Sequence, residues 1–168
     1  MSNAGVRFER EIVQSASVPG VLLVKVPVGY SRSLRFVGGG AVDFVGVVDG
    51  IPVAIEAKSC RTDRFDLGRI SDKQIEFLNR WSDCGGFSAV MLRFGHRDAR
   101  LFLICLPMLL KWLDHGMKSV TLKQLISLPS IPRQNGRWQL ECLTTLVRRC
   151  HDERERCEQR GSAAYPIG

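Results

Sequence analysis

The chain has 168 residues, 45% hydrophobic and 24% charged, with a formal net charge of +7 and an isoelectric point near 9.4. This is enough chain for one domain with its own core, and the basic balance favours a polyanionic partner, most simply nucleic acid. Nothing in the sequence reads as a membrane span or a secretory leader, and six cysteines without a CxxC pair read as reduced thiols in a cytoplasmic protein.

In chain order, residues 5–15 carry Phe8, Ile12 and Val13 at helical spacing, with Glu9 and Glu11 beside them. Pro19-Gly20 ends this helix, and the β-branched run 21–28 follows as a strand. Residues 29–40 are basic and glycine-rich and read as a loop or arm, with Tyr30, Arg32, Arg35 and Phe36 as its notable side chains. Residues 41–48 and 51–58 form two strands of a hairpin around Asp49-Gly50, a strong two-residue turn signal. A polar loop is expected over 60–69. Ser71 caps a helix reaching about Trp81, with Ile75, Phe77 and Leu78 inward. Strands follow at 87–94 and 101–105, then helices near 107–113, 121–125 and 140–149. After Cys150 the chain is charged and poor in apolar residues, so residues 150–168 read as a flexible tail on a domain spanning 1–149. The element order describes an α/β domain with a central mixed sheet flanked by helices.

The hairpin contains the charges that need explaining. Side chains alternate faces along a strand, so Glu56 and Lys58 share one face with Ala54. Ile55 and Ala57 point the other way. A two-residue turn pairs residue i with residue 99 − i, which sets Asp43 against Glu56. Facing carboxylates repel. A hard divalent cation held by Asp43, Glu56 and the Ala57 carbonyl offsets that repulsion, and a metal-bound water beside Lys58 is apparatus for phosphodiester hydrolysis. The other reading of the same spacing is an ion pair of Lys58 with Asp43 or Glu56 on a solvated face. Arg61, Arg64 and Arg69 lie just past this strand. They read either as phosphate contacts or as a solvated basic loop.

Asp43, twelve intervening residues and Glu56-Ala57-Lys58 resemble the D-x(n)-E-x-K core of the PD-(D/E)XK nuclease superfamily. GVRFEREI (5–12), DFVGVVDGIPVAIEAKS (43–59), ISDKQIEFLNRWSDCGGFSAVMLRF (70–94), LFLICLPMLLKWLD (101–114) and SVTLKQL (119–125) resemble, in order, segments of RecU-type Holliday junction resolvases. The resemblance covers roughly residues 5–148. It implies a restriction-endonuclease-like core and a homodimer that nicks two symmetric strands of a four-way DNA junction. It also implies magnesium, with manganese as a substitute, on Asp43 and Glu56, and Lys58 positioning the attacking water. Glu9 matches the acidic position on the first helix that completes such sites, and Gln74 the glutamine of the helix behind the hairpin. Lys73 stands where the family often has histidine and, with Arg32, Arg35, Arg61, Arg64 and Arg69, is a candidate DNA contact. The segment 28–40 lies where these resolvases carry a projecting stalk, and here it is compact. A nuclease with another DNA substrate and a non-catalytic junction-binding protein are the alternatives. The second is disfavoured, because bare facing carboxylates would repel DNA.

Overall fold

The computed structural model describes residues 3–27, 41–95 and 100–159. Helix α1 (Asn3–Ser15) leads into β1 (Val21–Lys25), which pairs antiparallel with β2 (Phe44–Val48). β2 pairs antiparallel with β3 (Ile51–Cys60) in the expected register, from Val48 opposite Ile51 to Phe44 opposite Ile55. Asp49 and Gly50 both have positive φ, 51° and 84°, the backbone of the tight turn whose twist matches the flanking strands. The register therefore follows from this turn. β1 ends at Lys25, three residues short of the expected strand, and β2 starts at Phe44 rather than Ala41. Residues 41–43 bend away from the ladder instead.

The sheet order is β1-β2-β3-β5-β6-β8, with β5 (Phe87–Phe94), β6 (Leu101–Cys105) and β8 (Ser130–Ile131). Among the neighbouring pairs of these six strands only β3–β5 is parallel, joined by a crossover that contains α2 (Asp72–Asp83). Every residue of β5 is buried. A strand covered on both faces needs no polar alternation, and FSAVMLRF accordingly reads as a nearly continuous apolar run.

The sheet separates two apolar layers. On one face Phe8 and Ile12 of α1 and Leu143 and Val147 of α5 (Cys142–Gln159) pack on Ile55, Ala57, Ala89 and Met91. On the other, Leu78 of α2 and Leu109 of α3 (Leu106–Asp114) pack on Ala54, Val90 and Leu92. The alternation expected along β3 is therefore the one observed.

Several short elements depart from expectation. The loop expected at 60–69 contains β4 (Arg64–Asp66) and a 3-10 turn (Leu67–Arg69). β4 pairs with β7 (Ser119–Thr121), just ahead of α4 (Leu122–Leu125). β9 (Arg133–Gln134) and β10 (Arg137–Trp138) form a small hairpin seated on α1 through an edge-to-face contact of Trp138 with Phe8, 6.3 Å between centroids. Strands of two or three residues are too short to carry a periodic signal. Helix α5 runs through Gln159, so the expected flexible tail begins as continued helix. The Arg149–Glu153 pair at i,i+4 and Arg154, which bonds Ser82 of α2, support the extension.

Candidate active site

The site forms where the C-terminal half of β3, the bend before β2 and the N-terminus of α2 meet. Glu56 is 2% exposed. Its Oε1 accepts hydrogen bonds from Lys58 Nζ and Gln74 Nε2, both at 2.6 Å. Its Oε2 is buried and, among the described residues, no donor group reaches it; a hydrogen bond with the Asp43 carboxyl is open to Glu56 when one of the two acids is protonated. Such an atom is costly unless something satisfies it.

Asp43 stands beside it, although not as a ladder partner. The strand has already ended at Phe44, and the Asp43 side chain turns so that Oδ2 accepts the Ala57 N–H at 2.9 Å. The Asp43 carbonyl in turn accepts from Val26 N at 2.8 Å, which pins the bend to the chain leaving β1. N–H and C=O of one strand residue leave on the same side, so the Ala57 carbonyl is directed to the side on which Asp43 lies.

Gln74 occupies the third position of α2. Ser71 accepts from Gln74 N at 3.4 Å and Gln74 Oε1 accepts from Ser71 N at 3.0 Å, a complete capping box. With its oxygen committed to the helix cap, Gln74 presents its amide N–H to Glu56. Lys58 Nζ also lies 3.4 Å from Gln74 Oε1. Helix start and catalytic strand are thus tied through one side chain.

The electrostatics follow from burial. Desolvation, then repulsion from Asp43, push the Glu56 carboxyl up to about 7, against the opposing pull of Lys58. Asp43 is raised by burial as well. Its bond from Ala57 works against that rise, and the nearby charge of Glu9 adds to it. Glu9, whose charge acts on Asp43, pairs with Lys25 Nζ at 2.5 Å, at the end of β1. Lys25 is a residue that sequence reasoning missed. No sequence signal pointed to it, since its place beside Asp43 comes from the β1–β2 register, in which Lys25 pairs with Phe44.

Among the described residues no group of three or more His, Cys, Asp or Glu side chains is arranged to hold a metal. The donor set is instead two raised carboxylates and a carbonyl. An orphaned carboxylate oxygen beside a second carboxylate fits a hard cation that keeps most of its waters, as magnesium does with one or two protein carboxylates.

The basic candidates divide. Arg69 lies close to the site: its Nη2 donates to the carbonyl of Ser59, next to Lys58, at 3.0 Å, and its guanidinium lies over Phe65 at 5.0 Å. Lys73 is exposed in the first turn of α2, beside Gln74. Arg61 is exposed past the end of β3, and Arg64 turns to Ser119 Oγ at 2.7 Å. Arg32 and Arg35, with Tyr30 and Phe36, lie outside the described residues.

Comparison with curated proteins finds no match. Among solved structures, Hjc of Archaeoglobus fulgidus, a Holliday junction resolvase, is similar at 23% identity and a TM-score of 0.42, over 60% of this chain and 73% of that one. The family model of recombination protein U, RecU, matches residues 34–142, which include Asp43, Glu56, Ala57, Lys58 and Gln74. The chain belongs to the RecU family.

Proposed function

We propose that Asp43, Glu56 and the Ala57 carbonyl hold a divalent cation, magnesium or in its place manganese, and that this site hydrolyses DNA phosphodiester bonds. Family membership makes the chain an endonuclease of recombination, a Holliday junction resolvase. The observation that carries the metal reading is the buried acid pair: among the described residues no donor group reaches Glu56 Oε2, and a second carboxylate, Asp43, stands beside it. When bound, the cation supplies a water of lowered pKa and offsets negative charge on the phosphate.

The chain's own groups do the rest. The Ala57 N–H fixes Asp43 in orientation. Gln74 and Lys58 share Glu56 Oε1 and leave Oε2 available. The Lys58 ammonium, held 2.6 Å from Glu56, sets a positive charge where the attacking water and the phosphate meet, orienting the first and stabilising charge on the second. Glu9, bound to Lys25, acts on Asp43 through space and is a positioning residue. Arg69 and Lys73, with Arg61 and Arg64 further out, contact phosphates and so contribute affinity without sequence information. A homodimer suits a substrate with two symmetric strands to nick.

The test is a gel assay on a synthetic four-way junction and a matched linear duplex with magnesium, for the parent and Glu56→Ala. The expected result is paired symmetric nicks in the junction alone, absent in the variant. Cutting of both substrates keeps the chemistry and removes the junction preference. Binding without cutting of either overturns the catalytic reading.

A further inference from the structure

A second charged cluster lies on the opposite face of the sheet, at the same end as the carboxylates. Arg93, near the end of β5, pairs in register with Ser59, the residue after Lys58. It shares its face with Ala89 and Met91, beneath α1. Its Nη1 donates to Glu11 Oε2 at 3.0 Å, and its guanidinium lies 4.4 Å from the centre of the Phe8 ring. Two more arginines reach the same carboxylate: Arg7 Nε at 3.3 Å and Arg133 Nη2 at 3.5 Å.

One carboxylate thus faces three guanidinium groups. A purely structural ion pair needs only the first of them. Among the described residues the remaining charge is uncompensated, and Arg93 bears its effect: burial first, and then the charges of Arg133 and Arg7, hold its guanidinium below the usual arginine range despite Glu11. Arg93 is also incompletely satisfied among the described residues, since its Nε is buried without a partner there and the residue is 6% exposed. Exposure rises outward, from 7% for the Arg93 side chain to 29% for Arg133 and 79% for Arg7. The cluster therefore opens to solvent with its excess charge outermost. The tertiary fold builds it deliberately from far-apart segments, because the β9–β10 hairpin rests on Phe8 through Trp138, and Arg133 itself lies over the Trp138 ring at 5.4 Å.

We propose that Arg7, Arg93 and Arg133, gathered on Glu11, form a phosphodiester-binding site that grips the DNA backbone on the sheet face opposite the catalytic carboxylates. Glu11 organises the three donors in the absence of DNA, and a phosphate takes up the charge that Glu11 leaves uncompensated. Arg93 stands one strand, about 4.8 Å, from Ser59 in the sheet plane, and its side chain leaves the sheet on the face opposite Lys58, so the two sites flank the same end of the sheet from its two sides. A backbone crossing this end of the sheet meets both. The inference rests on the reading of the protein as a DNA-junction enzyme.

The experiment is fluorescence-anisotropy binding of a labelled synthetic four-way junction in EDTA, with potassium chloride varied, for the parent, Arg7→Ala, Arg7→Ala/Arg133→Ala and Glu11→Gln. Each lost phosphate contact lowers the slope of log affinity against log salt by about 0.9. The expected drop is therefore about 1 for Arg7→Ala and about 2 for the double variant, while Glu11→Gln binds more tightly at every salt. Unchanged affinity and slope in Arg7→Ala, whose side chain is too exposed to be needed for folding, overturn the site and leave the resolvase reading standing. The same holds if Glu11→Gln only lowers the melting temperature. A parent protein that fails to bind the junction both in EDTA and with magnesium overturns both.

Discussion

Replacing Glu56 with glutamine should stabilise the metal-free protein at alkaline pH and lose that advantage in acid. The Glu56 carboxyl ionises at about 7 in the folded chain, against 4.5 as its ordinary value. Its folded value is the higher one, so the folded state favours the protonated acid. The stability linked to this preference is present below the ordinary value and disappears as pH rises through about 7. At about 1.4 kcal/mol per pH unit, the parent should lose about 3 kcal/mol relative to the variant between roughly pH 4.5 and pH 8. The side chain is only 3% exposed, so solvent screening removes little of this. Glutamine keeps the shape and an oxygen for Lys58 but weakens a charge-assisted bond worth about 1 kcal/mol more than a neutral one. The variant should therefore lead by about 2 kcal/mol at pH 8, roughly 4–8 °C in melting temperature for a chain of this size. Thermal and urea unfolding in EDTA at both pH values measures the difference, in which the titrations of groups remote from Glu56 cancel; only Asp43, coupled to Glu56, titrates differently in the two proteins. Magnesium should then raise the melting temperature of the parent at pH 8 and leave the variant nearly unmoved. A stability gap that does not change with pH would refute the reasoning. Glu56 would then be the structural partner of Lys58, and the two carboxylates would have no need of a cation.

Asp43→Asn should abolish junction cleavage while DNA binding is retained or tightened, because a repelling charge is removed without loss of the Ala57 contact; loss of both in a gel-shift assay would indicate a folding role. Gln74→Ala should cost about 1–2 kcal/mol in urea unfolding through the lost half of the capping box. It should also raise the magnesium concentration needed for half-maximal cleavage, since Glu56 Oε1 loses one of its donors. Gly46→Ala should be severely destabilising, by more than about 3 kcal/mol, because a Cβ there would sit 1.9 Å from the Leu22 carbonyl oxygen, in the ladder of β1 with β2; circular dichroism melting reads it directly.

Much of the catalytic hairpin could be read from the chain. Asp49-Gly50 allows only a short turn with two positive φ angles, and such a turn sets the register of everything behind it. Alternation then places Glu56 and Lys58 on one face and Ala57 on the other, as observed. Ser71 marks the cap of α2, which starts at Asp72 as expected and ends at Asp83, two residues past the expected Trp81. The short ribbons β4–β7 and β9–β10 were not legible, because strands of two or three residues bury too little to impose a pattern. The helical continuation past Cys150 was hidden by a charged composition whose pairing partners lie at helical spacing or on α2.

The chain by itself determined which face of β3 Glu56 and Lys58 occupy, since that is a consequence of strand alternation and a two-residue turn. Only the tertiary structure decided how they meet. Continued pairing would have set Asp43 beside Glu56 as a ladder partner, but the bend at 41–43 ends the strand and turns the Asp43 carboxylate onto the Ala57 N–H, because Val26 takes the Asp43 carbonyl. The crossover from β3 to β5 brings the start of α2 over the strand it left, which is why Gln74 reaches a carboxylate 18 residues earlier in the chain. The same packing gathers arginines from α1, β5 and the β9–β10 hairpin onto Glu11. Contacts across such separations depend on how layers stack on the sheet, and that is settled by burial of the whole core rather than by any local run of residues.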